Sequence, residues 1–212
     1  MNQKKFDRIL DRADRAYASG NFWTAIKLYW VLLRERPADP GLWNDIGAAF
    51  HRLGRMDDAQ KAFEKSIELD PGSYHSYANL ANVVLHKGEY ERALQLYDEA
   101  LSIDPQLLPA LYNRACIFGL RGDYNRMLEE LDRGVLALRE DHYMALMSRW
   151  EALIKLGRDD EASETLEKAL RVNPEYVTIY ISCRLSGTEL RWKSGMIHRQ
   201  GGKQANTSTT SG

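Results

Sequence analysis

Residues 43–63, WNDIGAAFHRLGRMDDAQKAF, contain two helical patterns separated by a glycine. Apolar residues follow helical spacing up to Gly54, and a second apolar pattern begins directly after it. Glycine ends helices because it adopts the left-handed backbone conformation without the usual steric cost. We expect Gly47 and Ala59 to lie where the two helices touch. Three aromatic side chains should fill the space around that contact: Trp43, Phe50 and Phe63.

The same pattern recurs along the chain at intervals of 34 residues. The helix-ending glycine has these counterparts, the last one after a single inserted residue: Gly20, Gly88, Gly122 and Gly157. A proline follows the second helix in four copies: Pro37, Pro71, Pro105 and Pro174. A fixed period of this length is typical of repeat proteins, in which each unit buries its apolar face on its neighbours. The sequence therefore predicts five helical pairs: 6–39, 40–73, 74–107, 108–142 and 143–176.

The last two copies and the C-terminal segment depart from the pattern. In copy four, Met127, Gly134 and Arg139 replace the small residues and the proline, and in copy five Trp150 takes the position of Gly47. We therefore expect irregular packing between copies four and five.

A capping helix is predicted over 177–199, because a repeat array needs a terminal cap with one polar face. Its expected apolar face is Ile179, Tyr180, Cys183 and Leu185. Residues 200–212 are low-complexity polar sequence and are predicted to be disordered. Residues 184–203 carry five Lys or Arg and one Glu, a local charge of +4.

The composition excludes several classes of protein. The net charge of the 212 residues is −1, which gives no general attraction for nucleic acid or anionic membranes. The sequence has no signal-peptide core and no apolar stretch of 18 residues, so we expect a cytoplasmic protein without membrane insertion. The only two cysteines, Cys116 and Cys183, are expected to be reduced thiols.

The repeated residues match a known pattern, W-x2-LG-x2-Y, then A-x3-F, then P. It is carried here by Trp43, Ile46, Gly47, Phe50, Ala59, Phe63 and Pro71. The chain resembles the tetratricopeptide repeat (TPR) family over residues 6–176. This resemblance implies an all-α, right-handed superhelical solenoid of five repeats plus a capping helix. It also implies a groove lined by the first helices, where an extended peptide or a partner helix binds.

One column of the first helices is polar in every copy: Asp11, Asp45, Asn79, Asn113 and Ser148. Asparagine offers both a donor and an acceptor, which suits the backbone of an extended chain. We therefore expect Asn79, Asn82 and Asn113 to hold a bound segment. Four further residues are candidates for setting its preference: Asp45, His75, His86 and Tyr112. A solvated helix face is the alternative interpretation.

An acidic patch is predicted on the first helix, where Asp7, Asp11 and Asp14 share one face. The patch could attract a basic partner segment, or the basic segment 184–203 of the chain itself. Ordinary exposed acids are the alternative. The family's carboxylate clamp for chaperone C-termini is not expected, because its three cationic positions are occupied by Ala78, Met144 and Ser148.

No catalytic motif, cofactor motif or metal-ligand spacing occurs in the sequence. We expect His75 and His86 to lie at opposite ends of one helix, too far apart to share a metal. The predicted function is a non-catalytic scaffold or adaptor that binds a protein or peptide. A homo-oligomeric module using apolar side chains near Tyr180 and Trp192 is one alternative, and an accessory subunit of a separate enzyme is another. RNA binding is disfavoured, since the groove column has no basic stripe with stacking aromatics.

Overall fold

A computed structural model of the chain describes the backbone of residues 1–185, 190–193 and 196–199, and the side chains of residues 1–182. Eleven α-helices lie within these residues: α1 Gln3–Ala18, α2 Phe22–Leu33, α3 Pro40–Arg52, α4 Met56–Leu69, α5 Tyr74–His86, α6 Tyr90–Ile103, α7 Leu108–Leu120, α8 Tyr124–Glu130, α9 Tyr143–Lys155, α10 Asp159–Val172 and α11 Pro174–Leu185. A π-helix, Leu131–Leu136, continues α8. Two strands, β1 Leu190–Lys193 and β2 Met196–Arg199, pair antiparallel.

The helices pack as consecutive antiparallel pairs within two compact units, which divide between Leu138 and Arg139. In the first unit α1 packs on α2, α3 on α4, α5 on α6, and α7 on α8 with its π-helix. In the second unit α9 packs on α10, and α10 on α11. The predicted all-α fold of five helical pairs is confirmed.

The glycine between the two helices of each pair has the predicted left-handed backbone. Gly54, which follows the end of α3, has a φ of 75°, and its four counterparts have φ values between 70° and 80°. The start of α3 also has a local cause. Pro40 occupies the first turn, and the Asp39 side chain accepts hydrogen bonds from the backbone N–H groups of Gly41 and Leu42 at 3.0 and 3.3 Å.

The close contact predicted at Gly47 is confirmed. A Cβ placed on Gly47 would lie 2.6 Å from Cε1 of the Phe63 ring. Ile46 and Ala59 are fully buried beside this contact. The ring of Phe63 on α4 therefore fills the space that a side chain at Gly47 would need.

Copy four carries an ion pair in place of an apolar core pair. Ile46 and Leu80 are buried at this position in copies two and three, but copy four has Arg114 there. The Arg114 guanidinium contacts Glu130 at 2.6 Å and Asp98 at 2.8 Å. Glu130 likewise replaces Ala62 and Leu96. A half-buried cation here is stabilised by its two carboxylate partners.

The π-helix lies directly after Glu130, in the one copy that is a residue longer than the others. A π-helical turn holds one more residue than an α-helical turn of similar height, so it accommodates the insertion. Gly134 lies within this π-helix, so the helical irregularity occurs inside copy four, where it was not predicted. Irregular packing between copies four and five stays a prediction.

The predicted capping helix over 177–199 is wrong in its extent. Pro174 starts α11 three residues earlier, with the Asn173 side chain accepting from the Tyr176 N–H at 3.0 Å. The helix ends at Leu185, and 190–199 contains two paired strands. The strand sequences LRWK and MIHR flank Ser194-Gly195, a dipeptide that favours a hairpin over a helix.

The predicted apolar face of that helix is also partly wrong. Val177 is fully buried, whereas Ile179 is 38% exposed. Tyr180 is half-buried. The side chains of Cys183 and Leu185, and the whole tail 200–212 that was predicted to be disordered, lie outside the described residues.

Candidate functional site

The predicted polar column lies on four consecutive first helices of the first unit. Asp11 is on α1, Asp45 on α3, Asn79 on α5 and Asn113 on α7. Asp11 is exposed and the other three are half-buried. We call these four residues the ladder. Ser148, the fifth member of the column, belongs to the second unit and is half-buried there.

The two ladder asparagines bind side chains of the preceding repeat. Nδ2 of Asn79 donates to Oδ1 of Asn44 at 3.0 Å, and Nδ2 of Asn113 donates to Oδ1 of Asn82 at 2.8 Å. Among the described residues, Oδ1 of Asn79 and Oδ1 of Asn113 have no hydrogen-bond donor in range. Each carboxamide is thus fixed by one bond to its neighbour and keeps an acceptor without a partner.

A chain of hydroxyl groups supports Asn44 from inside the protein. The buried Ser76 hydroxyl lies 3.4 Å from Oδ1 of Asn44 and 2.8 Å from the hydroxyl of the buried Ser66. Ser66 in turn donates to the carbonyl oxygen of Pro40 at 2.8 Å. These bonds join copies two and three and hold Oδ1 of Asn44, which accepts the hydrogen bond from Asn79, in place.

The tyrosines of the second helices also bind the ladder face, in two of the copies. The Tyr97 hydroxyl donates to Oδ1 of Asn82 at 2.5 Å, and the Tyr29 hydroxyl donates to Oδ1 of Asp14 at 2.9 Å. Burial raises the pKa of both phenols well above the ordinary value, so they stay protonated donors. Copy two has Phe63 at the position of the tyrosine and Ala48 at the position of its acceptor. The hydroxyl group and the side chain that accepts from it are therefore both absent in that copy.

The junction between copies one and two brings two carboxylates together. Asp45 occupies the position of Asn113, and Asp14 occupies the position of Asn82. Burial raises the pKa of Asp45 to about 6, the negative charge of Asp14 adds to the shift, and a hydrogen bond from Asn44 opposes it. A carboxylate cannot donate as Asn113 does, so this junction is repulsive when both groups are ionised.

The predicted stripe on α5 is present, since His75, Asn79, Asn82 and His86 follow spacings of four, three and four on one helix. Both histidines are exposed and pack on neighbouring rings. His75 lies 4.1 Å from the ring centroid of Tyr74, and His86 stacks on His51 of α3 at 5.2 Å. Burial, the neighbouring His86 and Arg52 lower the pKa of His51.

Tyr112 and Cys116 lie one turn apart on α7. Tyr112 is half-buried. Burial raises the pKa of the Cys116 thiol to about 11, against a hydrogen bond from Tyr112. Cys116 is a free cysteine, and its thiol therefore stays protonated at neutral pH.

Each of the three acids in the predicted patch on α1 has a hydrogen-bond or ion-pair partner within the protein. Asp7 accepts from the Gln3 side chain at 2.6 Å, Asp11 is ion-paired with Arg15, and Asp14 accepts from Tyr29. All three are exposed. The charge of the patch is therefore partly neutralised, and Asp14 belongs to the junction with Asp45.

The segments proposed for self-association or self-docking are only partly described. Tyr180 is not a free apolar side chain, because its hydroxyl donates to Glu151 at 2.9 Å and its ring packs near Tyr176 and Trp150. The side chain of Trp192 and the side chains of 184–203 lie outside the described residues.

Several residues on or near these surfaces were missed by sequence reasoning. Arg114, with Glu130, lines an open cavity of about 450 Å³ between α7 and the π-helix, next to Leu111 and Gly134. The available signal was weak, because the column of Arg114 is apolar only in copies two and three and holds Arg12 and Arg149 in copies one and five. Asn44 had no such signal, since its column holds Leu10, Ala78 and Tyr112 in the other first-unit copies.

Comparison with known proteins identifies the repeats. A model of the tetratricopeptide repeat family matches residues 40–106, and another model of the same repeat matches residues 151–176. The chain contains tetratricopeptide repeats. The matched ranges contain the glycine, alanine and proline columns that define the helical pairs.

The relatives found by sequence are much longer than this chain, which matches only a small part of each. The Hsp70-Hsp90 organizing protein of Triticum aestivum is 29% identical over 92 residues, covering 43% of this chain and 16% of that protein. Superkiller protein 3 of Schizosaccharomyces pombe is 36% identical over 74 residues, covering 35% of this chain and 5% of that protein. The likeness is therefore one of repeats.

A solved structure confirms the fold over most of the chain. TTC0263, a TPR protein of Thermus thermophilus, has a TM-score of 0.67 and 23% identity, with 85% of this chain and 99% of that chain covered. At this identity the likeness concerns the fold alone.

Two further findings bear on the type of site. No helix in the described part of this TPR protein is both long and apolar enough to cross a membrane. Over the same residues, no group of three or more His, Cys, Asp or Glu side chains is arranged to hold a metal ion.

Proposed function

We propose that this TPR protein is a non-catalytic adaptor that binds an extended or helical segment of a partner protein on the ladder face. The observation that carries this proposal is the pair of inter-repeat carboxamide bonds, Asn79 to Asn44 and Asn113 to Asn82. They fix two acceptors at equivalent positions of successive repeats. A bound backbone can donate to such acceptors without the cost of ordering them first.

The neighbours of these acceptors supply the other contacts. Asn82 lies between Tyr97 and Asn113, and its Nδ2 has no acceptor among the described residues, so it can donate to a ligand carbonyl. His75 and His86 lie at the two ends of the same stripe, and Tyr112 lies on the next first helix. We propose that these side chains select the residues of the bound segment.

The charge at the first junction favours a basic residue in the partner. Asp45 and Asp14 interact unfavourably with each other, and a Lys or Arg placed near them would remove that repulsion. The name of the wheat relative says that it organises Hsp70 and Hsp90. In this chain, however, the clamp positions hold Ala78, Met144 and Ser148, so a terminal carboxylate would have no cationic partner there.

The experiment is a selection of binding peptides from a random display library with the full chain, followed by calorimetric titration of the best peptide. Asn79→Ala combined with Asn113→Ala should weaken its binding by about tenfold or more, because two ordered hydrogen bonds are lost. Asn125→Ala is the matched control, since Asn125 is exposed on α8. Equal loss in the control, or unchanged affinity in the double variant, would reject the ladder as the binding face.

A further inference from the structure

The outward face of α2 differs in kind from the same face of the other second helices. Trp23, Lys27, Trp30 and Arg34 follow spacings of four, three and four, so they form one stripe along the helix. Trp23 is 48% exposed and Trp30 is 43% exposed. Val31, beside Trp30, is 41% exposed. We call these five residues the tryptophan stripe.

The other copies show what this face requires for folding alone. At the positions of Trp23, Lys27, Trp30 and Arg34, copy two has Asp57, Lys61, Glu64 and Glu68, and copy three has Glu91, Gln95, Asp98 and Ser102. Copy four has Asn125, Glu129, Asp132 and Leu136, and copy five has Asp160, Glu164, Glu167 and Arg171. All of them are exposed except the half-buried Leu136. The set has two acidic residues in copies three and four, and three acidic residues with one cation in copies two and five. Its net charge is therefore −2 in each of these copies, whereas Lys27 and Arg34 give copy one a net charge of +2.

Packing within the protein leaves much of the tryptophan surface uncovered. Trp23 makes an edge-on contact with Phe50 at 6.3 Å between ring centroids, and Trp30 makes one with Trp43 at 5.3 Å. Both partners lie on α3, on one side of the stripe. A contiguous exposed apolar patch of this kind marks an interaction surface more often than a solitary exposed aromatic residue does.

The charges around the tryptophans are positive and available. Among the described residues, Lys27 and Arg34 have no carboxylate partner. Arg55 lies 5.5 Å from the ring centroid of Trp23, although it is also paired with Asp58. A partner for this surface should therefore present apolar side chains flanked by carboxylates.

We propose that the tryptophan stripe docks an acidic amphipathic helix of a partner protein. Trp23 and Trp30 are seven positions apart, which is two helical turns or about 10.5 Å, and this matches apolar anchors at positions i and i+7 of such a helix. Carboxylates beside those anchors would pair with Lys27 and Arg34. This surface is on a second helix and is separate from the ladder face, so it does not depend on the function proposed above.

Two other occupants fit the stripe less well. The equivalent stripes of a second copy of this chain are acidic but have almost no apolar side chain to cover the tryptophans. An anionic membrane surface is typically bound by a cluster of about four or more cations, whereas the stripe has two, Lys27 and Arg34.

The test uses the full chain and a designed 18-residue helical peptide with Leu at positions i, i+3, i+4 and i+7, Glu at four positions beside them, and Ala or Gln at the others to keep the peptide helical. Its counterpart has Lys in place of every Glu. We expect the acidic peptide to bind with a blue shift of the tryptophan emission, and the basic peptide to bind at least about tenfold more weakly.

The decisive variants carry residues that this chain already uses at the same positions. Trp23→Asp with Trp30→Glu introduces the residues of copy two, so folding should be retained, and binding of the acidic peptide should fall by about thirtyfold or more. Lys27→Glu with Arg34→Glu keeps the tryptophans and should reverse the preference between the two peptides. Lys61→Glu, at the position of Lys27 in copy two, is the control that should change neither affinity.

Three outcomes would overturn the proposal. The first is equal binding of the acidic and basic peptides, or unchanged binding after both double substitutions. The second is tryptophan-dependent binding to phosphatidylserine vesicles without binding of the acidic peptide. The third is a concentration-dependent dimer, in the absence of peptide, that the Trp23→Asp/Trp30→Glu variant loses.

Discussion

Asn113 donates a hydrogen bond to Asn82 at 2.8 Å, and at the equivalent junction two repeats earlier Asp45 is placed against Asp14. The same backbone positions therefore form an attractive contact between copies three and four and a repulsive one between copies one and two. Two carboxamides hold copies three and four together at any pH. Two carboxylates make the junction between copies one and two depend on pH.

Asp45→Asn should stabilise the protein at pH 7.5. Asp45 has a pKa of about 6 in the folded protein, above its unfolded value of 3.8, so the folded state binds more protons between these values. Its contribution to stability is present below about pH 4 and is lost as the pH rises through about 6. The variant should gain about 1–2 kcal/mol at pH 7.5, and the gain should be much smaller at about pH 4.5 and vanish near about pH 3.

Urea unfolding of the variant and the original protein at several pH values measures this difference directly. Asp11→Asn is the control, because Asp11 is in the same column but is exposed and paired with Arg15. A gain that is equal at pH 4.5 and 7.5, or equal for Asp11→Asn, would exclude carboxylate repulsion as the cause.

His51 gives a pH dependence of the opposite sign. Its pKa is lowered in the folded protein, mainly by burial, so the unfolded state binds the proton more readily and stability falls as the pH decreases below about 6.5. His51→Leu, the residue of copy three, should remove that loss. Thermal unfolding between pH 7 and 5 would show a flatter profile for the variant. His75→Leu is the control, because it also removes a histidine but leaves His51 in place. An equal flattening of the profile for His75→Leu would contradict the assignment of the pH dependence to His51.

Gly47→Ala should destabilise the protein by about 1–3 kcal/mol, because the added methyl would overlap the ring of Phe63. Copies one and three combine an alanine here with a tyrosine ring, as Ala13 with Tyr29 and Ala81 with Tyr97, so a ring can shift to make room, and copy four combines Ala115 with Leu131. Gly47→Ala combined with Phe63→Leu should therefore lose less stability than the two single changes added together. Strict additivity in urea unfolding would show that the two positions do not compete for space.

Tyr97→Phe should cost about 1 kcal/mol, since it removes the 2.5 Å hydrogen bond to Asn82. Adding Asn82→Ala recreates the Phe63 and Ala48 pair of copy two. The double change should then cost less than the sum of its parts. Chemical denaturation of the four proteins completes the cycle, and a coupling energy near zero would mean that the tyrosine contributes by packing alone.

The repeat pattern was sufficient to predict the five helical pairs, because the glycine that ends each first helix and the small residues at each contact are local requirements. Gly47 is an example, since the spacing alone placed it against the partner helix. The ladder column was found in the same way, by a polar residue at one helical position in every copy. The Tyr97–Asn82 and Tyr29–Asp14 pairs could also have been found, because copy two loses both polar groups together.

Other features depend on contacts that periodicity does not contain. His51 and His86 stack although they occupy different columns, so no comparison of repeats would pair them. α11 ends at Leu185 and strands occupy 190–193 and 196–199, which the repeat pattern could not predict because it ends with copy five. The π-helix could not be read from the repeat columns, which place the inserted residue after Gly134, whereas the π-helix that accommodates it already begins at Leu131.

The most direct test of the central claim is the ¹H–¹⁵N spectrum of the full chain, recorded while the peptide selected from the library is added. The claim is that a partner segment binds the ladder face through its carboxamides. The account predicts that the side-chain NH2 signals of Asn79, Asn82 and Asn113 shift together, while that of Asn125 on α8 stays in place. Shifts at Asn125 with unchanged signals for the three ladder-face asparagines would contradict the account and place the binding surface on the second helices.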